Sequence, residues 1–253
     1  MMVVLSSGQE ISYSLYEKRK EESKNDLPQL QKSLSLFPDF DKDFLKKEEA
    51  VKLIGGLSEP SKMPCKGYSI PAWRCITGAK MREVKGSICA VCYALKGNYT
   101  WSNVKNALEK RFASLSNPLW TKAMIIAIAH YEKSGYFRFH DSGDIQSVEH
   151  LENLCEIADS LPQIKFWLPT REYAFVRSYL KKHGDFPPNL TVRLSGLMMD
   201  GKAPVSLANQ LRLVVSSASE SGFDCPASKQ GHKCLDCRAC WDKSVFDVTY
   251  KKG

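Results

Sequence analysis

Tyr136-Phe-Arg-Phe139-His140-Asp141-Ser142-Gly143-Asp144 is the stretch whose reading decides the fold. A short strand-like run of aromatics around Arg138 stops abruptly in a dense polar cluster. The pattern recurs downstream. Ile164-Lys-Phe-Trp-Leu168 leads into Thr170-Arg171-Glu172, and Leu190-Thr-Val-Arg-Leu194 into Ser195-Gly196. Leu211-Arg-Leu-Val-Val215 leads into Ser216-Ser217-Ala218-Ser219-Glu220. Helical patterns over 148–161 and 173–182 separate the first three runs. Alternation at a spacing of about 25 residues predicts βαβ units and a parallel sheet. Four successive polar strand ends favour an α/β fold of full or partial (β/α) TIM-like barrel type, which gathers the C-terminal ends of its strands on one face. An open doubly wound sheet would gather ligands only near a switch point.

The strand ends supply the candidate site. His140 and Asp141, directly after the first strand, suit proton transfer, metal ligation or the grip of a hydroxylated substrate. Asp144 divides between that role and turn or capping chemistry. Arg171 can clamp a carboxylate or phosphate bidentately, or pair with Glu172 or a neighbouring acid. Arg193 alternates with Val192 and Leu194, so it points either into the barrel or into the helix layer. Inward and beside Asp141, it would make a charged barrel floor. Serine-nucleophile, phosphate-loop and dinucleotide signatures are missing.

Upstream, residues 1–60 read as a charged helical extension. Tyr16 to Asp26 has little to bury, and a helical pattern from Asp43 to Ile54 ends at Gly55-Gly56. Residues 61–253 form the barrel-like, metal-binding domain. Within it, 60–100 is rich in Pro, Gly and Cys and reads as irregular backbone. Helices are expected from Ser102, as a candidate N-cap, and from near Pro118.

Nine cysteines add a second theme. Cys234-Leu-Asp-Cys237-Arg-Ala-Cys240, with Cys225 upstream, matches the triple spacing by which a tight loop offers thiolates to a [4Fe–4S] cube. Zn2+ is the alternative, although its sites are usually paired Cys-x2-Cys knuckles. Cys89 and Cys92 are substitutes for any of these four, or they close a separate tetrathiolate with Cys65 and Cys75. Cys155 lies on a helical apolar stripe and reads as a core residue. The bland reading of the other eight is a disulfide framework. No secretory signal pattern and no apolar run of about 18 residues appears, so the expectation is a cytoplasmic protein with no membrane span and reduced, metal-binding thiols.

With 253 residues, 43% of them apolar, one catalytic-size domain fits. The formal charge of +8 is compatible with a nucleic-acid partner, but the lysines are dispersed among acids. On Cys89-Ala-Val-Cys92-Tyr-Ala-Leu-Lys-Gly97-Asn-Tyr99, Phe137 to Asp144, Phe166 to Glu172 and Lys233 to Asp242, the chain resembles the phage-encoded gene product eighty-eight family. That resemblance covers about residues 63–250 and implies a viral protein acting in the cytoplasm of an infected bacterium, with cysteines suited to a cluster. Barrel plus cluster is also similar to the radical S-adenosylmethionine superfamily, but the Cys-x3-Cys-x2-Cys spacing of that superfamily does not occur here. The expectation is an iron–sulfur protein with an electron-transfer or redox role, serving a redox partner or a small-molecule ligand over His140, Asp141, Arg171 and Arg193. Two rivals stand beside it: a zinc-stabilised nucleic-acid- or partner-binding protein, and a non-redox enzyme in which the cluster only braces the fold.

Overall fold

The computed structural model describes residues 2–4, 10–12, 45–199, 201–218 and 222–250. The chain divides into two compact units, Met1–Lys46 and Lys47–Gly253. In the first unit β1 (Met2–Val4) pairs antiparallel with β2 (Glu10–Ser12). The charged stretch Tyr16 to Asp26 lies outside the described residues.

The second unit opens with α1 (Lys47–Leu53), which has Glu48 and Glu49 in its first turn and Lys52 in its last. That charge order complements the helix dipole. Gly55 and Gly56, at φ of +74° and +87°, end it as the double glycine implied. The chain continues through β3 (Gly67–Tyr68), α2 (Ile76–Arg82), α3 (Ser102–Ser114) and α4 (Trp120–Tyr131). Next come β4 (Tyr136–Phe139), α5 (Val148–Ser160), β5 (Lys165–Thr170), α6 (Tyr173–His183) and β6 (Leu190–Ser195). It closes with α7 (Val205–Leu211), β7 (Val214–Ser217), β8 (Phe223–Asp224) and β9 (Asp247–Thr249). Between β3 and α3 lie four 3-10 turns besides α2, in keeping with the irregular backbone expected there.

The seven strands of this unit form one sheet in the order β3-β4-β5-β6-β7-β9-β8, with every pairing parallel. The fold is mixed α/β. The alternating pleat divides the sheet into two faces. On one, Phe137, Phe139 and Phe166 are fully buried, and Phe139 stacks on Phe166 at 5.4 Å. Their register places Leu168, Leu190, Val192 and Leu194 on the same side. The other face carries Tyr136, Arg138, Trp167, Thr191 and Arg193.

Three local expectations change. Ser102 is the first helical residue of α3, not its cap; Trp101 holds that place, with no side-chain cap bond. The run Leu211 to Val215 is not one strand. Leu211 closes α7, Arg212 adopts a left-handed φ of 54°, and β7 begins only at Val214. The β-branched tail of that run masks a helix whose seven residues are too few to show a period. Finally, β3, β8 and β9 carry two or three residues each, too short for an alternating signature.

Candidate metal centres and strand-end site

The nine cysteines are all free thiols, and they fall into two groups and a single. Cys155 is 3% exposed on the inner side of α5, as a core residue should be.

The larger group gathers on the Arg193 face of the sheet. Cys65 and Cys240 share a buried cluster with Trp167, Trp241 and Val248, and Cys225 packs against it. Cys237 donates its N–H to the Cys234 carbonyl at 2.9 Å, and Cys234 donates its own to Lys62 O at 2.8 Å, beside Cys65. The triple lies in the connection from β8 to β9. Neighbouring parallel strands need a long crossover, usually a helix; here the Cys-rich segment takes that place. It is fastened by Arg193, which is fully buried. Its five N–H donors all go to backbone carbonyls: Nε to Cys240 at 2.9 Å, one terminal nitrogen to Val215 and Phe246, the other to Ala239 and Asp242 at 2.7 Å each. Thr191 Oγ1 donates to Trp241 O at 2.8 Å, and Trp241 Nε1 to Phe137 O at 2.9 Å. Arg193 therefore departs from the expected charged floor beside Asp141: a guanidinium committed to five carbonyls is a fastener, with no donor left for a ligand.

Burial pushes the Cys65 thiol up to about 12, Glu132 adding to the effect and Arg138 opposing it. It pushes Cys240 up to about 11, against the hydroxyl of Tyr250 at 3.3 Å and the charges of Arg193 and Arg138. Such thiols stay protonated near neutrality unless a cation replaces the proton.

The second group is Cys75, Cys89 and Cys92, on the segment that follows β3. Cys75 immediately precedes α2, while Cys89 opens a 3-10 turn whose closing bond runs from Cys92 N to Cys89 O at 3.3 Å. Cys65 and Cys75 thus part company: only Cys75 joins Cys89 and Cys92. Among the described residues, no three His, Cys, Asp or Glu side chains stand together as the ligand sphere of a single metal ion.

Beside this second group stand the strand ends. Asp144 accepts from Ile145 N, from Thr170 Oγ1 at 2.6 Å and from Arg171 N at 2.9 Å, so it ties the end of β4 to the end of β5. Burial raises it to about 6, opposed by those same bonds. It is not the cap of α5; Ser147 is, accepting from His150 N at 3.0 Å. Gly143, at φ +86°, lets this loop approach β3, since a Cβ there would lie 2.3 Å from Ile70. Glu172 accepts from Thr77 N and Thr77 Oγ1, both at 2.7 Å, fastening α2 to the end of β5. Arg171 Nε donates to Gly196 O at 3.0 Å.

His140 is buried, with Nδ1 2.9 Å from Tyr68 O. Burial, the dominant cause, lowers it to about 4. Its ring lies 5.4 Å from that of His150, also held well below the ordinary value by burial, and Nε2 of each has no protein partner among the described residues. A neutral His140 keeps its proton on Nδ1, toward the carbonyl, and presents a lone pair at Nε2. Asp141 receives the hydroxyl of Tyr99 on Oδ2 at 2.7 Å and that of Tyr93 on its carbonyl.

Sequence reasoning missed Arg138. Its guanidinium lies 4.4 Å from the Trp167 ring centre, and its charge acts on Cys65, Cys234, Cys240 and His140. The available signal was a charged residue inside an aromatic strand. Tyr93 and Tyr99 were likewise unmarked, although both follow the Cys89–Cys92 turn and donate to Asp141.

A family model described as Gene product 88 matches residues 41–243. No curated protein and no solved structure shows a significant match to the chain.

Proposed function

The chain belongs to the Gene product 88 family, and we propose that it is an iron–sulfur protein whose C-terminal thiols hold a [4Fe–4S] cluster with an electron-transfer or redox role. Cys225, Cys234, Cys237 and Cys240 would hold it, with Cys65 alongside. The observation that carries this reading is that Cys65, Cys240 and Cys225 pack on one cluster with Trp167 and Trp241, while half-buried Cys234 lies close enough to Cys65, Cys225 and Cys237 for their charges to interact. A cube spreads four thiolates wider than the roughly 3.8 Å separation around one tetrahedral zinc, so the reading does not require a single-ion ligand sphere. Arg138 and Arg193 supply the positive charge that a buried anionic cluster needs.

We read the sheet as a partial (β/α) barrel. What supports this is that Cys65 leads into one end strand, β3, while Cys225 follows the other, β8, and both pack on the same cluster. The thiols would then brace the ends of the barrel. His140, Asp141 and Arg171 would face the ligand at the strand ends, and the setting we assign is the cytoplasm of a phage-infected bacterium. No described helix is long and apolar enough to cross a membrane.

Protein purified without oxygen should be brown, lose its visible absorption on reduction, and contain iron and acid-labile sulfide. Cys237→Ala should lose that cluster. Colourless protein holding zinc would overturn the proposal, and steeply salt-dependent DNA binding would then favour the zinc-stabilised nucleic-acid reading.

A further inference from the structure

We infer that the segment between β3 and α3 carries a binding surface for single-stranded nucleic acid, in which an unpaired base enters a cavity walled by Trp73 and Tyr99 while Lys96 and Lys105 hold phosphates. This surface uses none of the C-terminal thiols, so the inference goes beyond the cluster reading and stands whichever metal they hold.

The charge comes first. Lysines are mixed with acids along most of the chain, but residues 73–105 hold six lysines and arginines against one acid, Glu83, a net +5 of the chain's +8. Lys96 and Lys105 are exposed and make no ion pair among the described residues. A nucleic-acid strand gains affinity from such cations by releasing the counterions condensed on its phosphates.

Aromatic rings stand among these charges. Tyr93 and Trp101, at 58% and 57% exposed, are the two most exposed large hydrophobic side chains among the described residues. Beside them lies a cavity of about 440 Å³, lined by Trp73, Leu95, Tyr99, Thr100, Lys105 and Glu109. Its size falls in the usual range of ligand pockets, about 300–1,000 Å³.

The rings of the cavity are fixed by their polar ends. Trp73 Nε1 donates to Glu109 Oε1 at 2.6 Å, and the Tyr99 hydroxyl to Asp141 Oδ2 at 2.7 Å. Tyr93 packs edge-on against Tyr99, with ring centres 5.8 Å apart. Rings held in this way have little freedom left to lose when a base stacks on them. Glu109 is the one acid of the lining, and Arg74 offsets its charge at 3.4 Å from the second oxygen.

Helix α3 adds the next platform. Lys105 N donates to Trp101 O at 2.9 Å, so Trp101, Lys105 and Glu109 follow one another at four-residue spacing along one helical face. Thr100, the chain neighbour of Trp101, and Lys105, one turn on, both line the cavity. Stacking rings interleaved with cations are the means by which proteins hold unpaired strands. A base inside a duplex keeps its faces within the stack, and an acidic peptide would leave these rings without flat partners.

The test uses the full chain, purified without oxygen, with fluorescein-labelled oligothymidylate and oligouridylate, each about 12 nucleotides long. By fluorescence anisotropy at least one should bind more tightly than a duplex of the same length, with affinity falling steeply from about 50 to 200 mM salt. Trp101→Ala should weaken binding on the order of 10-fold and Trp101→Phe recover part of it. Because that ring is exposed, the circular dichroism of both variants should match the unaltered chain. Lys96→Gln with Lys105→Gln should make the plot of log affinity against log salt shallower by about 1.4, two phosphate contacts at about 0.7 each. The same change at the exposed Lys133 and Lys181 should leave the slope unaltered. No binding of either strand at low salt would overturn the inference. So would an affinity that Trp101→Ala leaves unchanged, a slope indifferent to Lys96 and Lys105, or thymidine monophosphate bound as tightly as the strand. Iron measured on the same samples tells loss of the cluster from loss of this surface.

Discussion

Around Cys234, Cys237 and Cys240 the protein supplies the surroundings itself: a buried guanidinium spent on five carbonyls, Thr191 on Trp241 O, and two tryptophan rings. Around Cys75, Cys89 and Cys92 it supplies a glycine, Gly78, close against Cys75, two saturated carboxylates and an arginine with an unused edge. The same residue type is thus set in a closed clasp and in a more open setting. The difference lies in where hydrogen-bond capacity is spent. Donors exhausted on backbone hold a segment in place, whereas donors left over are available to a ligand.

The largest expected effect breaks the clasp. Arg193→Ala leaves five carbonyls in a buried region without their donor, and should cost at least about 3 kcal/mol in denaturant unfolding. Arg193→Lys, with three donors instead of five, should recover only part of it. Hydrogen exchange should show 225–246 opening first. If that segment kept its protection in Arg193→Ala, the closed half of the comparison would be wrong.

Next comes acid, which acts where β4 meets β3. His140 has a pKa of about 4 when folded against 6.5 when unfolded, and His150 is lowered in the same direction. Between those values the unfolded chain binds more protons, so stability is complete above pH 6.5 and is lost as pH falls toward 4. Asp144, raised from 3.8 to about 6, works the other way and gains stability as pH falls through that lower window. Two imidazoles against one carboxyl should leave a net loss of stability between pH 7 and 4.5. A urea midpoint that held steady or rose over this range would sink the claim, and His140→Asn should flatten the slope.

Gly78→Ala sharpens the open side. Overpacking of about 1–3 kcal/mol against Cys75 is set against about 1 kcal/mol of helix propensity. Stability should change little, read as a urea midpoint close to that of the unaltered chain. The smallest effect is expected outside both regions: Cys155→Ala should cost about 1 kcal/mol from a small cavity and leave iron content unchanged.

Much of this molecule was legible before any coordinates. The stripe Leu151, Leu154, Cys155 and Ala158 marked α5, because helical period is a local property, whereas its cap, Ser147, was not singled out and Asp144 stood in its place. The aromatic strand ending at His140 was equally plain. Helix α7 was not, nor were β8 and β9, since two to seven residues cannot display a period. Arg193 was visible as a charge in an apolar strand, but its partners lie 22 to 53 residues away.

The sequence by itself determined the alternation of strands and helices, the polar loading of the strand ends and the presence of metal-competent thiols. All of these are written in residue type and short spacing. Only the tertiary structure decided the grouping of the thiols, Cys65 with the C-terminal segment and Cys75 with Cys89 and Cys92, and which charged groups have donors to spare. Those outcomes depend on which segments the parallel sheet brings together across long crossovers, and on how burial exhausts each group's hydrogen bonds. Neither quantity is local to any stretch of the chain.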